Sequence, residues 1–384
     1  MNIDALPREW DVIVVGAGVA GSVSAYRLAR RGLSVLLVEK SAWPRDKVCG
    51  GCVNVATLQA LSDAGLTDIS GAGAAYSTMR LASGRRQALL PLPAGLAISR
   101  RRLDELLVTR ARDAGVVFVS DTQAVLDAAK ANARHVMLRQ HQQQVMMATK
   151  LVVGCDGLAS RLLRKDAPKA LEIEAGSRIG VGATVTAAPG FYEPGTIHMA
   201  CGPHGYAGLV RVENDKLNMG AALGPAWTKQ CGGPAAAIAE VLRTAAFPRF
   251  DALIDANWQG TPQLTRRRHR LGSERVLIVG DAAGYVEPFT GEGMGWALAG
   301  AAAVEPFAIE AVGGWRDDVV SRWTARYAEV TRARQRGCQG VSMLLRHPHL
   351  MASLLPLVNA MPALVTPLTA WLNRDYKLDC VEAK

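Results

Sequence analysis

Cysteine is scarce and scattered in this sequence, which argues against a fold held together by disulfides. Seven cysteines are spread over 384 residues, and an odd, dispersed set fits a reducing compartment better than a disulfide framework. The N-terminus also lacks the signal-peptide pattern of basic residues followed by an apolar stretch, because its first apolar run belongs to a predicted strand. We therefore expect a cytoplasmic protein.

Long basic runs and metal-ligand spacings are missing as well. The net charge of +10 would by itself suit an acidic partner, a membrane surface or nucleic acid. No run of five basic residues with interleaved aromatics occurs, so we set nucleic-acid binding aside; a basic surface with a phosphate-bearing ligand explains the charge more simply. His198, His204 and His269 show no metal-ligand spacing, and we predict no metal site.

The first forty residues contain a strand–turn–helix–strand pattern. Residues 11–15 are a β-branched apolar run, residues 22–31 carry apolar side chains at helical spacing, and residues 33–38 are a second apolar run. The turn after the first strand is rich in glycine, and an acid, Glu39, ends the second strand. This order of elements is typical of a parallel βαβ unit.

The glycines of that turn are spaced as Gly16-x-Gly18-x-x-Gly21. Gly16 permits the tight turn, Gly18 lets backbone amides approach a pyrophosphate, and Gly21 allows close packing of helix and strand. The helix N-terminus offers free N–H donors to the phosphates, and Glu39 is placed to accept hydrogen bonds from ribose hydroxyls. The pattern predicts dinucleotide binding, and a glycine-rich turn that merely packs is the alternative.

Two later motifs extend this pattern and carry a resemblance to a known family. They read Gly154-Cys155-Asp156-Gly157-x-x-Ser160-Arg161 and Gly280-Asp281-Ala282-Ala283-Gly284. With the first motif they resemble, over about residues 10–310, the three fingerprints of the para-hydroxybenzoate-hydroxylase-like flavoproteins. That superfamily includes single-component flavin monooxygenases, flavin-dependent halogenases and geranylgeranyl reductases, so the resemblance implies FAD as the cofactor and NAD(P)H as a transient electron donor.

The resemblance also assigns individual residues. Arg100 matches the arginine that reaches the FAD phosphates or ribityl chain, and Asp156 with Gly157 matches the acid–glycine pair near the pyrophosphate, a site also linked in the family to transient NAD(P)H binding. Asp281 matches the acid that hydrogen-bonds the ribityl hydroxyls. Taken singly, each of these residues could equally cap a helix or shape a turn.

The stretch Pro288-Phe289-Thr290-Gly291-Glu292-Gly293-Met294-Gly295 precedes a predicted helix over residues 292–312, with Pro306 as a kink or break. Glycines here let the backbone lie flush against a flavin ring, and the amides of the helix N-terminus would stabilise negative charge on the reduced flavin. A plain glycine-rich helix start is the alternative. This stretch of sequence is more similar to that of geranylgeranyl reductases than to that of small-aromatic hydroxylases.

The connector Lys47-Val48-Cys49-Gly50-Gly51-Cys52 is similar to the reductase-type branch, which has Lys-x-Cys-Gly near the flavin. Its Cys-x-x-Cys spacing leaves open a redox pair or cysteines that simply pack. The full predicted cofactor-binding set is Gly16, Gly18, Ala20, Gly21, Glu39, Lys40, Arg45, Cys49, Gly50, Arg100, Asp156, Gly157, Gly280, Asp281, Pro288, Gly291, Glu292, Gly293 and Met294. The predicted catalytic set is Cys49, Tyr206, Gly293 and Met294.

The substrate region departs from the family. The reductases' Tyr-x-Trp-x-Phe-Pro stretch keeps its tyrosine as Tyr206, but Gly208 and Val210 stand at the next positions and would open the pocket. The halogenases' Trp-x-Trp-x-Ile-Pro stretch is missing too, which argues against halogenation. Residues 180–182 are not a second dinucleotide turn, because no third glycine or trailing acid follows them, so a pyridine nucleotide must bind transiently, or another protein supplies the electrons.

Residues 350–372 contain no charged side chain, but Pro356, Pro362 and Pro367 argue against one spanning helix. Three interpretations stay open: helices that pack over the substrate site, contact with a membrane surface, or a protein interface.

We predict an α/β fold: a three-layer Rossmann-type FAD-binding domain (residues 1–170 and 271–336), an inserted mainly β substrate domain (171–270) and a helical C-terminal segment (337–384). The leading functional hypothesis is an NAD(P)H-dependent monooxygenase that hydroxylates an apolar or aromatic secondary metabolite with O₂, through a flavin C4a-hydroperoxide. The first alternative is a reductase of lipid C=C bonds, with Cys49 and Tyr206 as candidates for the proton path. The second alternative is a binding module without flavin chemistry, as in the Rab escort proteins.

Overall fold

The computed structural model describes residues 1–130, 132–287, 289, 291–374 and 376, of which residues 362, 364, 368 and 372 are described through their backbone. Its helices are α1 (Val19–Ala29), α2 (Val55–Asp63), α3 (Arg100–Asp113), α4 (Pro225–Gln230), α5 (Pro234–Thr244), α6 (Gly293–Gly313), α7 (Val319–Leu344), α8 (Pro348–Ala360) and α9 (Thr366–Leu372). Its strands are β1 (Glu9–Val15), β2 (Val35–Val38), β3 (Cys52–Val53), β4 (Ala74–Ser83), β5 (Arg86–Ala97), β6 (Val117–Val119), β7 (Gln123–Lys130), β8 (Ala133–Gln140), β9 (Gln143–Gly154), β10 (Leu171–Ile173), β11 (Ile179–Val185), β12 (Thr196–Gly202), β13 (Gly205–Arg211), β14 (Leu217–Leu223), β15 (Gln259–Gln263), β16 (Arg266–Arg268), β17 (Gly272–Ser273), β18 (Val276–Ile278) and β19 (Gly284–Tyr285).

The first sheet has a parallel core in the strand order β18-β9-β1-β2-β6. Strand β17 pairs antiparallel with β18 at one edge, and β7 and β8 continue β9 as an antiparallel meander. Val12, Ile13 and Val14 of β1 are fully buried, as expected for a central parallel strand covered on both faces, and α1 packs against α3 and α6. The β1–α1–β2 unit is the one predicted from the sequence.

The second sheet has the order β15-β11-β14-β13-β12-β4-β5-β3. Its neighbours pair antiparallel except β12 and β4, which are parallel. One face contributes Met199, Tyr206 and Val210 to an apolar cluster with α8, and the other face contributes Ala200 and Leu209 to a cluster with α5. The predicted α/β fold with a second sheet and a helical C-terminal segment is confirmed.

Three strands of the second sheet come from residues 52–97, which the sequence analysis assigns to the first domain. Strand β4 pairs with β12 in register from Thr78 opposite Thr196 to Ser83 opposite Cys201. The residues of β4 and β12 are more than a hundred positions apart, and nothing in the local periodicity of either strand indicates this pairing. The sheet therefore extends beyond the inserted stretch, and the domain boundaries remain a prediction.

Helix α6 runs without interruption through Pro306 to Gly313, so the helix is not broken at this proline, and the other option, a kink, stays a prediction. The residues on both sides of the proline are packed in the core, because Val304 and Ala308 are fully buried. Glu305 also accepts salt bridges from Arg27 and Arg31, each at 2.5 Å. Among the described residues α6 is the one helix long and apolar enough to cross a membrane, and it is mostly buried inside the protein, as a core helix is.

Candidate functional site

The glycine turn between β1 and α1 is shaped by close backbone packing. Gly16 has a φ of +103°, and a Cβ there would overlap the carbonyl of Cys155. A Cβ on Gly21 would overlap the carbonyl of Gly16. Gly18 is the N-cap of α1 and has no side chain to occupy the first amides of the helix, which stay available to an anion. The two outer glycines thus fix the turn, and the middle one leaves space above it.

Three cationic side chains converge on that space. A Cβ on Gly18 would lie 3.3 Å from Nη2 of Arg100, 3.6 Å from Nη2 of Arg45 and 4.0 Å from Nζ of Lys47. Cations and helix amides around a glycine that admits close approach form a cradle for a pyrophosphate. The residues present therefore fit the predicted FAD at this point.

Carboxylates hold the two arginines in place. Nη1 of Arg45 lies 3.2 Å from Asp104, and Nη2 of Arg100 lies 2.9 Å from the same carboxylate. Arg45 also lies 3.2 Å from Glu39. Asp104 is fully buried and was missed by the sequence analysis, although its spacing of four residues from Arg100 on a helix is a signal that could have found it.

Glu39 lies at the end of β2, beside the glycine turn. Its carboxylate accepts hydrogen bonds from the backbone N–H groups of Ala17 and Ser41, both at 3.0 Å. Burial alone would raise the pKa of Glu39, but Arg45 and these two N–H donors outweigh it and the pKa is lowered. The Glu39 side chain is therefore an ionised carboxylate, fixed by these partners at the position where we expect the adenosine ribose.

The two later motifs bring further acids to the same region. Asp281 accepts a hydrogen bond from Nζ of Lys47 at 3.0 Å and lines a cavity that begins at the glycine turn. Asp156 accepts from the N–H of Arg161 at 3.0 Å, and burial raises its pKa. Within the described residues its second oxygen, Oδ1, has no hydrogen-bond partner. A buried acceptor without a partner next to Gly157, a cavity-lining residue, fits a site completed by a ligand.

Two buried arginines of β16 hold the loops that carry these acids. Nη1 of Arg266 donates to the carbonyl of Leu158 at 2.6 Å, in the loop after Asp156. Nε of Arg268 donates to the carbonyl of Ala282 at 2.9 Å, next to Asp281. These two arginines therefore have an internal role and are not part of the basic surface to which we assign the net charge.

A cavity of about 380 Å³ extends from the glycine turn to the second sheet and the C-terminal helices. Gly18, Arg100 and Asp281 line one end of it. The remainder has an apolar lining from the second sheet, the C-terminal end of α7 and α8, which includes Met79, Leu81, Leu90, Ile197, Met199, Val210, Leu345, Met351, Leu355 and Val358. The site of the predicted cofactor and an apolar chamber thus form one continuous space.

The segment around Cys49 and Gly50 forms a wall of this cavity. A Cβ on Gly220 of β14 would lie 2.9 Å from the N atom of Gly50, and Nδ2 of Asn218 donates to the carbonyl of Cys49 at 3.0 Å. These contacts seat the segment against the second sheet. Cys49 and Cys52 both line the cavity as free thiols, and burial, assisted by the nearby Cys49, raises the pKa of the Cys52 thiol.

Tyr206 lies in the apolar part of the cavity, with its ring edge-on to Phe289 at 5.1 Å between centroids. Behind it, Nη1 of Arg178 and Oε1 of Glu287 form a buried ion pair at 2.8 Å, and the Arg178 guanidinium lies 5.8 Å from the Tyr206 ring centroid. Burial and the Glu287 carboxylate raise the pKa of Tyr206 well above its usual range, against the opposing effect of Arg178. Tyr206 is therefore a neutral hydroxyl at ordinary pH.

Four of the remaining predicted cofactor-binding residues line the cavity. Ala20, Gly291, Gly293 and Met294 line it, and Gly280, at a φ of +69°, packs against the Ala20 methyl. Lys40 is exposed and is not part of the lining. Pro288 lies outside the described residues, so its predicted role has no structural account.

The side chain of Glu292 is not part of the cavity lining and contacts α7, so its predicted contact with the cofactor stays a prediction. Its carboxylate lies 2.5 Å from Nη1 of Arg334 and accepts from the Cys338 thiol at 3.3 Å, both on α7. Burial raises its pKa, with Arg334 opposing the shift. The reason is electrostatic, because a fully buried carboxylate needs a cation, and α7 supplies one. Its backbone remains at the start of α6, where no side chain among the described residues caps the first turn.

Comparisons with known proteins agree with this geometry. A family model described as "FAD binding domain" matches residues 9–320. Conditioned medium factor receptor 1 of Dictyostelium discoideum is 28% identical over 340 residues, 78% of this chain and 64% of that protein, so the chain spans less than two thirds of that relative. Digeranylgeranylglycerophospholipid reductase 2 of Methanothermobacter thermautotrophicus is 27% identical over 335 residues, 83% of this chain and 82% of that protein.

Among solved structures, p-nitrophenol 4-monooxygenase PnpA from Pseudomonas putida DLL-E4 is similar to this chain with a TM-score of 0.77. The alignment covers 96% of this chain and 99% of that chain at 15% sequence identity. At this identity the likeness concerns the fold. The names of the relatives differ in the activity they state, so the reaction has to be argued from the site itself.

Proposed function

The chain belongs to the FAD binding domain family and is a flavin-dependent oxidoreductase, and from this premise we propose that it is an NAD(P)H-dependent monooxygenase. Its substrate would be an apolar or aromatic small molecule of secondary metabolism, and O₂ the second substrate. The observation that carries this proposal is the single cavity that joins the phosphate cradle at Gly18 to an apolar chamber at Val210 and Met199.

The cradle would hold the pyrophosphate of FAD, with Glu39 as the acceptor for the adenosine ribose and with Cys49 and Met294 as the residues that would contact the ring. When bound, FAD would take hydride from NAD(P)H and activate O₂ for transfer to the substrate. The protein supplies position and environment for that chemistry. The uncapped amides at the start of α6 would stabilise negative charge at the ring, and the apolar walls would exclude water from it.

Tyr206 is the polar group best placed to orient a substrate in the apolar chamber. Its hydroxyl is neutral, and its ring is fixed between Phe289 and the Arg178–Glu287 pair. A neutral hydroxyl can donate one hydrogen bond and accept others. We assign it the role of holding a polar atom of the substrate, or of donating a proton to it.

A reductase that saturates a lipid C=C bond is the second candidate. The lining beyond the cofactor end is mainly aliphatic, from leucine, methionine and valine side chains, and one relative is named as a digeranylgeranylglycerophospholipid reductase. In that reaction Cys49 or Tyr206 would supply the proton to the carbon that does not receive hydride.

We also propose that the C-terminal helices contact a membrane surface. Leu350, Leu357 and Met361 are 48%, 50% and 54% exposed on the outside of this segment. Such a face suits the boundary of a bilayer. The enzyme would then act in the cytoplasm and bind membranes peripherally.

Oxygen dependence separates the two reactions. The holoenzyme is mixed with NADH or NADPH and a panel of apolar aromatic and isoprenoid compounds, in air and under argon, and the products are analysed by mass spectrometry. For a monooxygenase we expect a product that has gained one oxygen atom and that forms in air but not under argon. A product saturated by two hydrogens under argon would replace it with the reductase.

A further inference from the structure

The C-terminal cover, which we define as the described residues between 348 and 376, closes the end of the cavity away from Gly18. Leu355 and Val358 of α8 line the cavity, as do Val365, Thr369 and Asn373 further along the chain. Because this cover forms part of the apolar chamber, its position decides whether a ligand can enter from that side.

Two glycines in neighbouring helices receive aromatic side chains of the cover. A Cβ on Gly295 of α6 would overlap the hydroxyl of Tyr376, and a Cβ on Gly337 of α7 would overlap the indole ring of Trp371. Glycine is unfavourable inside a helix. At both positions the space that a side chain would fill is occupied by one aromatic ring of the cover, and we call each of these spaces a glycine socket.

Arg334 connects the cover to the flavin end of the protein. Its guanidinium lies 2.5 Å from the Glu292 carboxylate at the start of α6 and 4.0 Å from the centroid of the Tyr376 ring. Nη2 of Arg334 also donates to the carbonyl of Arg374. The side chain therefore holds the cover to the helix whose first turn lies at the cavity.

The outer side of the cover is apolar and its surroundings are basic. Leu350, Leu357 and Met361 are about half exposed, and residues 330–374 contain no aspartate or glutamate. The same span carries Arg332, Arg336, Arg346 and Arg374, in addition to Arg334, whose charge is paired with Glu292. The exposed apolar side chains suit the acyl-chain boundary of a bilayer, and the arginines of a segment without acids suit its negative surface charge.

We propose that the C-terminal cover is a gate between an anionic bilayer and the cavity, latched by Trp371 and Tyr376 in the two glycine sockets. Binding of the outer face to the bilayer withdraws the aromatic rings from Gly337 and Gly295, and an apolar chain passes from the lipid phase into the chamber. This inference rests on the proposed function in one respect, since it requires an apolar substrate next to the flavin.

The test measures entry of a pyrene-labelled dodecanoic acid into the holoenzyme. Pyrene emission overlaps flavin absorption, so the probe is quenched when it reaches the chamber beside FAD. It is presented in vesicles of phosphatidylcholine, in vesicles that also contain phosphatidylglycerol, and free in solution. Gly337→Ala fills a socket, Trp371→Ala removes the ring that occupies it, and Gly340→Ala on the same helix is the matched control, because no atom lies within 4 Å of a Cβ at that position.

The gate predicts that the wild-type holoenzyme quenches the probe about tenfold faster from phosphatidylglycerol vesicles than from phosphatidylcholine alone. Gly337→Ala and Trp371→Ala reach the fast rate from phosphatidylcholine, and Gly340→Ala behaves as wild type. Equal wild-type rates from the two vesicle types would overturn the gate, as would socket variants that remain as slow as wild type. Absence of quenching for every protein, even with free probe, would instead overturn the apolar substrate and the gate with it.

Discussion

Gly18→Ala is the substitution that tests the phosphate cradle most selectively. Gly18 has a φ of −84°, so alanine fits the backbone, and the effect must come from the added methyl. That methyl would lie 3.3 Å from Arg100 and 3.6 Å from Arg45, in the space where a pyrophosphate would approach the amides of α1. Loss of one hydrogen bond to a charged phosphate costs about 1.5 to 3 kcal/mol, which is about a 10- to 150-fold increase in the Kd for FAD.

The assay is a fluorescence titration of apoprotein with FAD. Gly71→Ala is the control, because a Cβ at Gly71 meets no atom within 4 Å and its φ is not positive. We expect the melting temperatures of the two apoproteins to remain close to that of wild type and FAD affinity to fall in Gly18→Ala alone. If Gly18→Ala binds FAD as tightly as Gly71→Ala, the pyrophosphate does not lie against Gly18 and the assignment of the cradle is wrong.

Three further predictions concern the acid near the ribityl chain, the chamber and a buried histidine. Asp281→Asn removes the charge that pairs with Lys47 at 3.0 Å, so the Kd for FAD should rise about tenfold in the same titration; an unchanged Kd would remove Asp281 from the site. Val210→Phe narrows the chamber and should weaken binding of the pyrene probe to the holoenzyme, measured by quenching at equilibrium, whereas equal binding would place the ligand elsewhere. Burial lowers the pKa of His198 to about 4 from 6.5, so the unfolded chain takes up this proton first and stability should fall as the pH drops from 6.5 towards 4. His198→Leu should flatten this decline in melting temperature, and the exposed His141→Gln should not; identical profiles for the two variants would refute the argument.

Local sequence pattern was sufficient for the part of the fold that depends on local contacts. The strand, glycine turn and helix over residues 11–31 were predictable because each element has its own periodicity and the glycines mark the turn. The position of Glu39 followed from the length of β2, and the structure finds it beside the N–H of Ala17.

Long-range electrostatic partners could not be predicted in the same way. Arg178 and Glu287 are 109 residues apart and Arg334 is 42 residues from Glu292, so no spacing rule links the members of either pair. The assignment of Glu292 to the cofactor rested on its place in a motif, whereas its carboxylate pairs with Arg334 of α7, and no local pattern indicates that α7 packs against this position. Buried charges are fixed by the tertiary fold, and they are the part of the site that sequence reasoning missed.

The central claim is that FAD lies extended in one cavity, with its pyrophosphate at Gly18 and its ring between the Cys49 segment and the start of α6. A crystal structure of the chain grown with FAD tests this most directly. We expect density for the adenosine beside Glu39, for the pyrophosphate within hydrogen-bond distance of the α1 amides, and for the ring at Met294. Density for FAD outside this cavity, or a ring end directed away from the apolar chamber, would contradict it.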